Sequence, residues 1–124
     1  MPHRSYLDEV RILRRALRAA GGDVLALAHL TGGGWIDNIP RTLPPGLGVE
    51  IETGSWHVPR IFSLIQERGD IADEEMVRTF NLGIGLTAVV RPELVEAAVA
   101  ALPEVARLGG VVPVDEGAPR VAFA

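Results

Sequence analysis

A short glycine run after an apolar segment is the first place in this sequence where chemistry could be done. Residues 31–34 read TGGG, directly after an apolar run that ends at Leu30. A strand leading through a glycine turn into a helix presents backbone N–H groups and a positive dipole end to an anion. Glycine lacks the Cβ that keeps a ligand away from the backbone. The stretch therefore indicates an anion site, although such turns are more often purely structural. It contains neither the lysine of a phosphate-binding loop nor the G-x-G-x-x-G spacing of a dinucleotide site.

Two polar residues lie beside glycine-bearing segments. His29 comes just before the TGGG run, at the end of the predicted strand, where ligand sites of α/β proteins gather. A lone histidine is more often a half-buried structural group than a ligand. Asn81 precedes the segment LGIGL, and its amide can both donate and accept hydrogen bonds. The three histidines are scattered without metal-ligand spacing, so no metal site is predicted.

The elements that must position these residues follow from hydrophobic periodicity. Predicted helices cover residues 5–20, 36–43, 59–68, 74–79 and 92–102. Predicted strands cover residues 24–30, 47–52, 82–90, 105–114 and 120–123, of which 82–90 has the strongest β pattern. Because helices alternate with strands, the fold class is α/β or α+β, with a mixed β-sheet packed with helices.

Three details of this pattern can be checked against a structure. Ser5 is expected to cap the first helix, whose apolar face comprises Leu7, Val10, Leu13 and Leu17. Its arginine-rich face is expected to be solvated rather than bound to nucleic acid. In the helix over 59–68, the residues expected to point inward are Ile61, Phe62, Leu64 and Ile65.

Composition excludes several classes of protein. The 124 residues suffice for one domain with one core. All 12 basic residues are arginine, so chemistry that needs a lysine is excluded, and the absence of cysteine excludes disulfides and thiolate sites. A net charge of −4 gives no general attraction to nucleic acid. No apolar run is long enough for a membrane helix, and the composition favours a cytoplasmic protein.

Four segments together resemble a known family. In chain order they read HLTGGG, NIPR.LP, SW.VP.IF and EEM.RTFN.GIG, where dots mark variable positions. This combination resembles the C-terminal domain of the phosphoribosylformylglycinamidine cyclo-ligase family, also called the aminoimidazole ribonucleotide synthetase family. The resemblance runs from about Pro2 to the C-terminus, and four linked motifs are far more specific than one glycine loop.

The resemblance implies an enzyme of purine biosynthesis. Family members use ATP and Mg²⁺ to activate the formyl oxygen of formylglycinamidine ribonucleotide before the imidazole ring closes. The nucleotide is bound mainly by an N-terminal domain that also forms a homodimer, whereas the C-terminal domain helps to hold the phosphoribosyl substrate. Residues 1–124 would then be a single substrate-side domain, with the ATP-binding domain absent from this chain. Its loss is expected to leave apolar surface exposed.

Carried onto this chain, the resemblance assigns substrate binding to residues of the first, second and fourth motifs. These are His29, Thr31, Gly32, Gly33, Gly34, Asn38, Arg41 and Asn81. It names no catalytic residue and no metal ligand, and the anion at the glycines would be the ribose 5′-phosphate of the substrate. Two alternatives stay open: the related formylglycinamidine ribonucleotide synthase, and a stand-alone, non-catalytic ligand-binding or interaction module of the same fold.

Overall fold

The computed structural model describes residues 5–124, which form helices and strands in the predicted order. The helices are α1 (Leu7–Ala19), α2 (Gly34–Asn38), α3 (Arg60–Gly69), α4 (Asp73–Thr79) and α5 (Val95–Ala101). The strands are β1 (Ala26–His29), β2 (Leu47–Ile51), β3 (Leu86–Val89), β4 (Gly109–Pro113) and β5 (Val121–Phe123). Short 3-10 helices cover Pro40–Thr42 and Pro92–Leu94. None of the described helices is long and apolar enough to cross a bilayer.

The strands form two sheets. β1 and β3 pair antiparallel, with Ala26 opposite Val89 and His29 opposite Leu86. The second sheet has the order β4-β2-β5, in which β2 runs antiparallel to β4 and parallel to β5. The expectation of an α/β fold with a mixed sheet and packed helices is therefore confirmed. The turn at residues 115–117 lies between β4 and β5. These strands pair with opposite edges of β2, so they do not form a hairpin with each other.

Two clusters of buried side chains hold the elements together. The larger cluster joins both sheets to α2, and it contains Ala28, Leu30, Trp35, Ile39, Val49, Ile51 and Val121. The smaller one joins α1 to α5 through Leu13, Leu17 and Leu94. The predicted apolar face of α1 is thus confirmed for Leu13 and Leu17, whereas Leu7 lies exposed.

The ends of α1 follow local backbone chemistry. Its N-cap is Tyr6 rather than Ser5, although the Ser5 hydroxyl accepts a hydrogen bond from Leu7 N at 3.5 Å. At the C-terminus, Gly22 N donates to Leu17 O at 2.8 Å, and Gly21 has a φ of 93°. This is the glycine-terminated pattern that satisfies the last carbonyl groups of a helix.

The prediction of one long strand over 82–90 is wrong. Leu82 and Gly83 have φ values of 54° and 94°, and a positive φ is incompatible with a continuing strand. Residues 81–84 form a turn, in which Gly83 N donates to Asn81 Oδ1 at 2.9 Å. The strand begins only at Leu86.

The prediction for the inner face of α3 is also wrong. No residue of this helix is buried, and Ile61 and Leu64 are 56% and 38% exposed. Phe62 and Ile65 are half-buried, and the Phe62 ring meets that of Phe80 edge-on at 5.9 Å. The apolar stripe predicted a buried face, but no described element covers most of it.

The predicted helix over 36–43 divides into two pieces. α2 ends at Asn38, and a 3-10 helix starts at Pro40. Proline has no backbone N–H to donate within an α-helix, and its ring disfavours an α-helical residue before it. The α-helix therefore stops before Pro40.

Candidate functional site

The three glycines at 32–34 differ in whether the structure requires a residue without a Cβ. Gly34 has a φ of 61°, and a Cβ there would clash with the backbone carbonyl of Val77 in α4. At Gly33 a Cβ would meet the carboxylate of Asp37, while at Gly32 it would meet nothing within 4 Å. Gly34 therefore permits the close packing of α2 on α4, and Gly32 has no such packing reason.

Hydrogen bonds fix the start of this loop. Thr31 N donates to Asn38 Oδ1 at 2.8 Å, and Gly34 N donates to Thr31 O at 2.9 Å. Within residues 5–124, the N–H groups of Gly32 and Gly33 make no hydrogen bond. The loop thus keeps two backbone donors for another partner.

The loop also carries its own acidic group. The carboxylate of Asp37 lies against Gly33 and binds the Arg41 guanidinium at 2.7 Å. Arg41, which the sequence assigned to substrate binding, is therefore engaged in an exposed ion pair one turn along the chain. Its positive charge offsets a carboxylate that would otherwise repel an anion approaching Gly33.

The second glycine segment is held against the first by two tryptophans. Trp35 Nε1 donates to Asn81 O at 3.1 Å, and Trp56 Nε1 donates to Leu82 O at 3.0 Å. The two indole rings stack with centroids 4.8 Å apart. Sequence reasoning missed this role, although both tryptophans lie inside the motif region and Trp56 belongs to the SW.VP segment.

Further backbone contacts bring the four motif segments together. We call this region, residues 29–44, 55–62 and 74–85, the motif end. Leu30 N donates to Gly85 O at 2.9 Å, which joins the end of β1 to the segment before β3. A Cβ at Gly83 would clash with the ring of Pro59, so the third motif packs directly on the fourth. The segments that carry the resemblance therefore meet in space.

His29 lies exposed at the end of β1, beside Tyr6. Their ring centroids are 6.5 Å apart in an edge-on arrangement. The Tyr6 hydroxyl lies so close to Gly85 that a Cβ there would clash with it. Tyr6 is thus a neighbour of the site that sequence reasoning missed.

Both asparagines of the site use their amides in the same way. Each Oδ1 accepts a backbone N–H, from Thr31 for Asn38 and from Gly83 for Asn81. Because a backbone N–H requires an acceptor, these bonds fix which amide atom is the oxygen. Neither Nδ2 group makes a hydrogen bond within the described part of the chain. Each asparagine therefore braces a glycine segment and keeps two donors for a ligand.

Residues 5–124 contain no group of three or more histidine or acidic side chains placed to hold a metal ion. The donors of the motif end are amides and backbone N–H groups, which bind anions and carbonyl oxygens rather than cations. No metal-dependent step is therefore placed on residues 5–124.

A comparison with models of protein families identifies the family of this chain. Residues 3–122 match the family model described as AIR synthase related protein, C-terminal domain. The chain belongs to this family. The resemblance carried by the four motifs is thereby confirmed for nearly the whole sequence.

Relatives of this chain come from several kingdoms. The chain is 47% identical over 121 residues to the trifunctional purine biosynthetic protein adenosine-3 of Bos taurus, covering 93% of this chain and 12% of that protein. It is 40% identical over 120 residues to the phosphoribosylformylglycinamidine cyclo-ligase of Bordetella pertussis, covering 94% of this chain and 34% of the relative. A cyclo-ligase of the plant Vigna unguiculata is 58% identical over 72 residues, which cover 58% of this chain and 19% of that protein. The chain thus spans about a third or less of the lengths of these relatives.

Most of the sequence-assigned residues lie where the motifs meet. His29 ends β1, Thr31 and the three glycines lead into α2, and Asn38 ends α2, while Trp35 links this segment to Asn81. Arg41 is exposed and paired with Asp37. Their roles in substrate binding stay predictions.

Proposed function

We propose that this chain acts as the substrate-side domain of a phosphoribosylformylglycinamidine cyclo-ligase and contributes to binding of the phosphoribosyl substrate. The observation that carries the proposal is the set of hydrogen-bond donors left at the motif end. The N–H groups of Gly32 and Gly33 and the Nδ2 groups of Asn38 and Asn81 have no partner among the described residues.

Such a surface fits an oxygen-rich, anionic ligand. Phosphate and ribose oxygens accept hydrogen bonds, and backbone N–H groups free of Cβ atoms allow close approach. The relatives named cyclo-ligase support the reaction class. In this proposal ATP and its Mg²⁺ bind mainly to a separate N-terminal domain, and a homodimer forms through that domain. The protein works in the cytoplasm.

The exchange of one amide for a carboxylate tests the proposal. In Asn81→Asp, the side chain still accepts the Gly83 N–H, so the turn keeps its brace. It loses both Nδ2 donors and gains a negative charge that repels phosphate. Hydrogen bonds to charged groups contribute about 1.5–3 kcal/mol, so we expect KM for the substrate to rise at least about tenfold with little change in the melting temperature.

The measurement uses the Bordetella pertussis cyclo-ligase with its aligned segment replaced by this chain. Formation of aminoimidazole ribonucleotide is followed with ATP in excess. Asn38→Asp is the parallel variant at the first loop. Asn81→Ala is the control, because it removes both the acceptor for Gly83 N–H and the Nδ2 donors. An active chimera whose KM is unchanged by both aspartate variants contradicts substrate binding by this domain. A folded chimera without any activity favours a non-catalytic module.

A further inference from the structure

The two tryptophans at the motif end contact consecutive peptide groups of one turn. Trp35 Nε1 binds the carbonyl of Asn81, and Trp56 Nε1 binds the carbonyl of Leu82. The rings stack with an interplanar angle of 30°, and Trp35 is fully buried. The stack therefore brings the two indole donors together at adjacent positions of the turn.

The residue that the second indole holds has an unfavourable backbone conformation. Leu82 has a φ of 54°, in the left-handed region that a residue with a Cβ rarely adopts. Such conformations persist only where the surroundings fix them, and they concentrate at functional sites. The turn is closed locally by the Ile84 N bond to Asn81 O at 3.1 Å and the Gly83 N bond to Asn81 Oδ1. From outside the turn, the Trp56 indole binds Leu82 O, and Pro59 confines the next residue, Gly83.

The strained turn determines where the Asn81 side chain lies. In this turn, Gly83 N–H donates to Asn81 Oδ1 across Leu82. That bond in turn fixes the amide and the position of its Nδ2 donors. Trp56, 26 residues away in sequence from Leu82, is therefore connected to the Asn81 amide through this turn.

We propose that the Trp35–Trp56 pair is a clamp that holds the turn 81–84 in its strained form, and that Trp56 is a positioning residue for the ligand contact of Asn81. The ligand part of this statement rests on the proposed function. The clamp part concerns this chain alone.

The decisive variants remove the hydrogen bond and then the strain. Trp56→Phe keeps a stacking ring but has no donor for Leu82 O. Leu82→Gly removes the Cβ that makes the left-handed backbone unfavourable. We expect solvent exchange of the Gly83 amide, measured by NMR, to become about fivefold faster in Trp56→Phe. In the double variant it should return to within about twofold of the parent, because glycine holds the turn without the clamp.

Binding of ribose 5-phosphate, followed by NMR titration of the same samples, gives the second readout. We expect its affinity to fall about tenfold in Trp56→Phe and to recover in the double variant. A merely structural tryptophan predicts no recovery, because Leu82→Gly restores none of the lost packing. Leu82→Gly alone keeps the clamp and should bind like the parent, so it keeps the test informative if Trp56→Phe unfolds. In that case, a much weaker affinity in Leu82→Gly overturns the positioning role.

Each contrary result has a distinct meaning. Unchanged Gly83 exchange in a folded Trp56→Phe variant overturns the clamp. Faster exchange with unchanged affinity overturns the positioning role of Trp56. If the parent chain binds no ribose 5-phosphate at millimolar concentration, the positioning role and the proposed ligand fail together, and the exchange data still decide the clamp.

Discussion

At the scale of single residues, the glycine run combines conformational and surface roles. Gly34 lies in the left-handed region against the backbone of α4, whereas Gly32 is exposed with open space around its Cα. The sequence of the loop alone does not predict this difference between Gly32 and Gly34. It arises because α4 packs against Gly34 and not against Gly32, and the contact is made by Val77, 43 residues later in the chain.

This difference predicts a large effect on stability for one alanine substitution and almost none for the other. Gly34→Ala should lower the free energy of unfolding by about 2–5 kcal/mol, from about 1–2 for the left-handed backbone and about 1–3 for overpacking. Gly32→Ala should change it by less than about 0.5 kcal/mol, as at most surface positions. Urea denaturation of both variants checks this. Equal effects would show that the loop packs differently from the structure.

At the scale of elements, an ion-pair cluster ties the end of α1 to the start of β1. Asp23 accepts hydrogen bonds from Arg14 at 3.2 Å through both carboxylate oxygens, from Arg18 at 3.2 Å, and from Val24 N at 2.8 Å. The hydrogen bond from the Arg14 guanidinium is the main reason that the pKa of Asp23 lies well below its usual range. Part of the arginine face of α1 is thus paired within the domain.

The lowered pKa of Asp23 gives a pH dependence of defined sign. A carboxyl group with a depressed pKa in the folded state stabilises the fold above its unfolded pKa, about 3.9. That contribution is lost as the pH falls through the folded-state pKa. Asp23→Asn should therefore be less stable than the parent at neutral pH, and the gap should narrow below about pH 4. Thermal unfolding between pH 7 and pH 2 measures it.

The dependence on ionic strength tests whether the ion pairs of Asp23 cause this stability difference. The cluster is solvent-exposed, so screening should shrink the gap between the parent and Asp23→Asn as ionic strength rises. A gap that is insensitive to both salt and pH would contradict an origin in the Asp23 ion pairs. The Val24 N–H bond could not explain such a gap, because asparagine accepts that bond as well.

The sequence predicted the existence and order of the elements better than their limits. Periodicity placed α1 and β2 within a few residues because local chemistry ends them: Gly21 closes α1, and Gly46, with a φ of 85°, precedes β2. It failed at Leu82, since the left-handed turn depends on an indole from another segment. It also failed for α3, because an apolar stripe shows that a face can be buried but not whether anything covers it.

At the scale of the whole molecule, several large apolar side chains remain exposed, and two pairs of them lie close together in sequence. Ile61 and Leu64 lie on α3, and Leu25 and Leu27 lie at or just before β1, with exposures between 37% and 60%. Large apolar patches on a protein surface mark sites of association. These side chains are candidates for the expected apolar face, and both the face and its partner stay predictions.

We expect the chain to self-associate through the exposed face of α3. Replacement of both Ile61 and Leu64 by glutamate should shift the chain toward monomer in light scattering at high concentration. Neither residue is buried, so the melting temperature should change little. The matched control is the pair Leu25→Glu and Leu27→Glu, which introduces the same two charges at exposed positions outside α3. A parent that is monomeric at all concentrations would rule out self-association, and equal effects of both changes would place it elsewhere.

The position of β5 has a consequence for how the domain folds. The Arg120 guanidinium donates to the carbonyl groups of Leu43, Pro44 and Leu47, the last of which is 73 residues away in sequence. β2 gains its parallel neighbour only when that distant segment arrives. Contacts of such long range must close a large loop first, which slows the search for the native topology. Docking of the last strand should thus be a late kinetic step, and until then β2 presents an open edge along which a nascent or heated chain can aggregate.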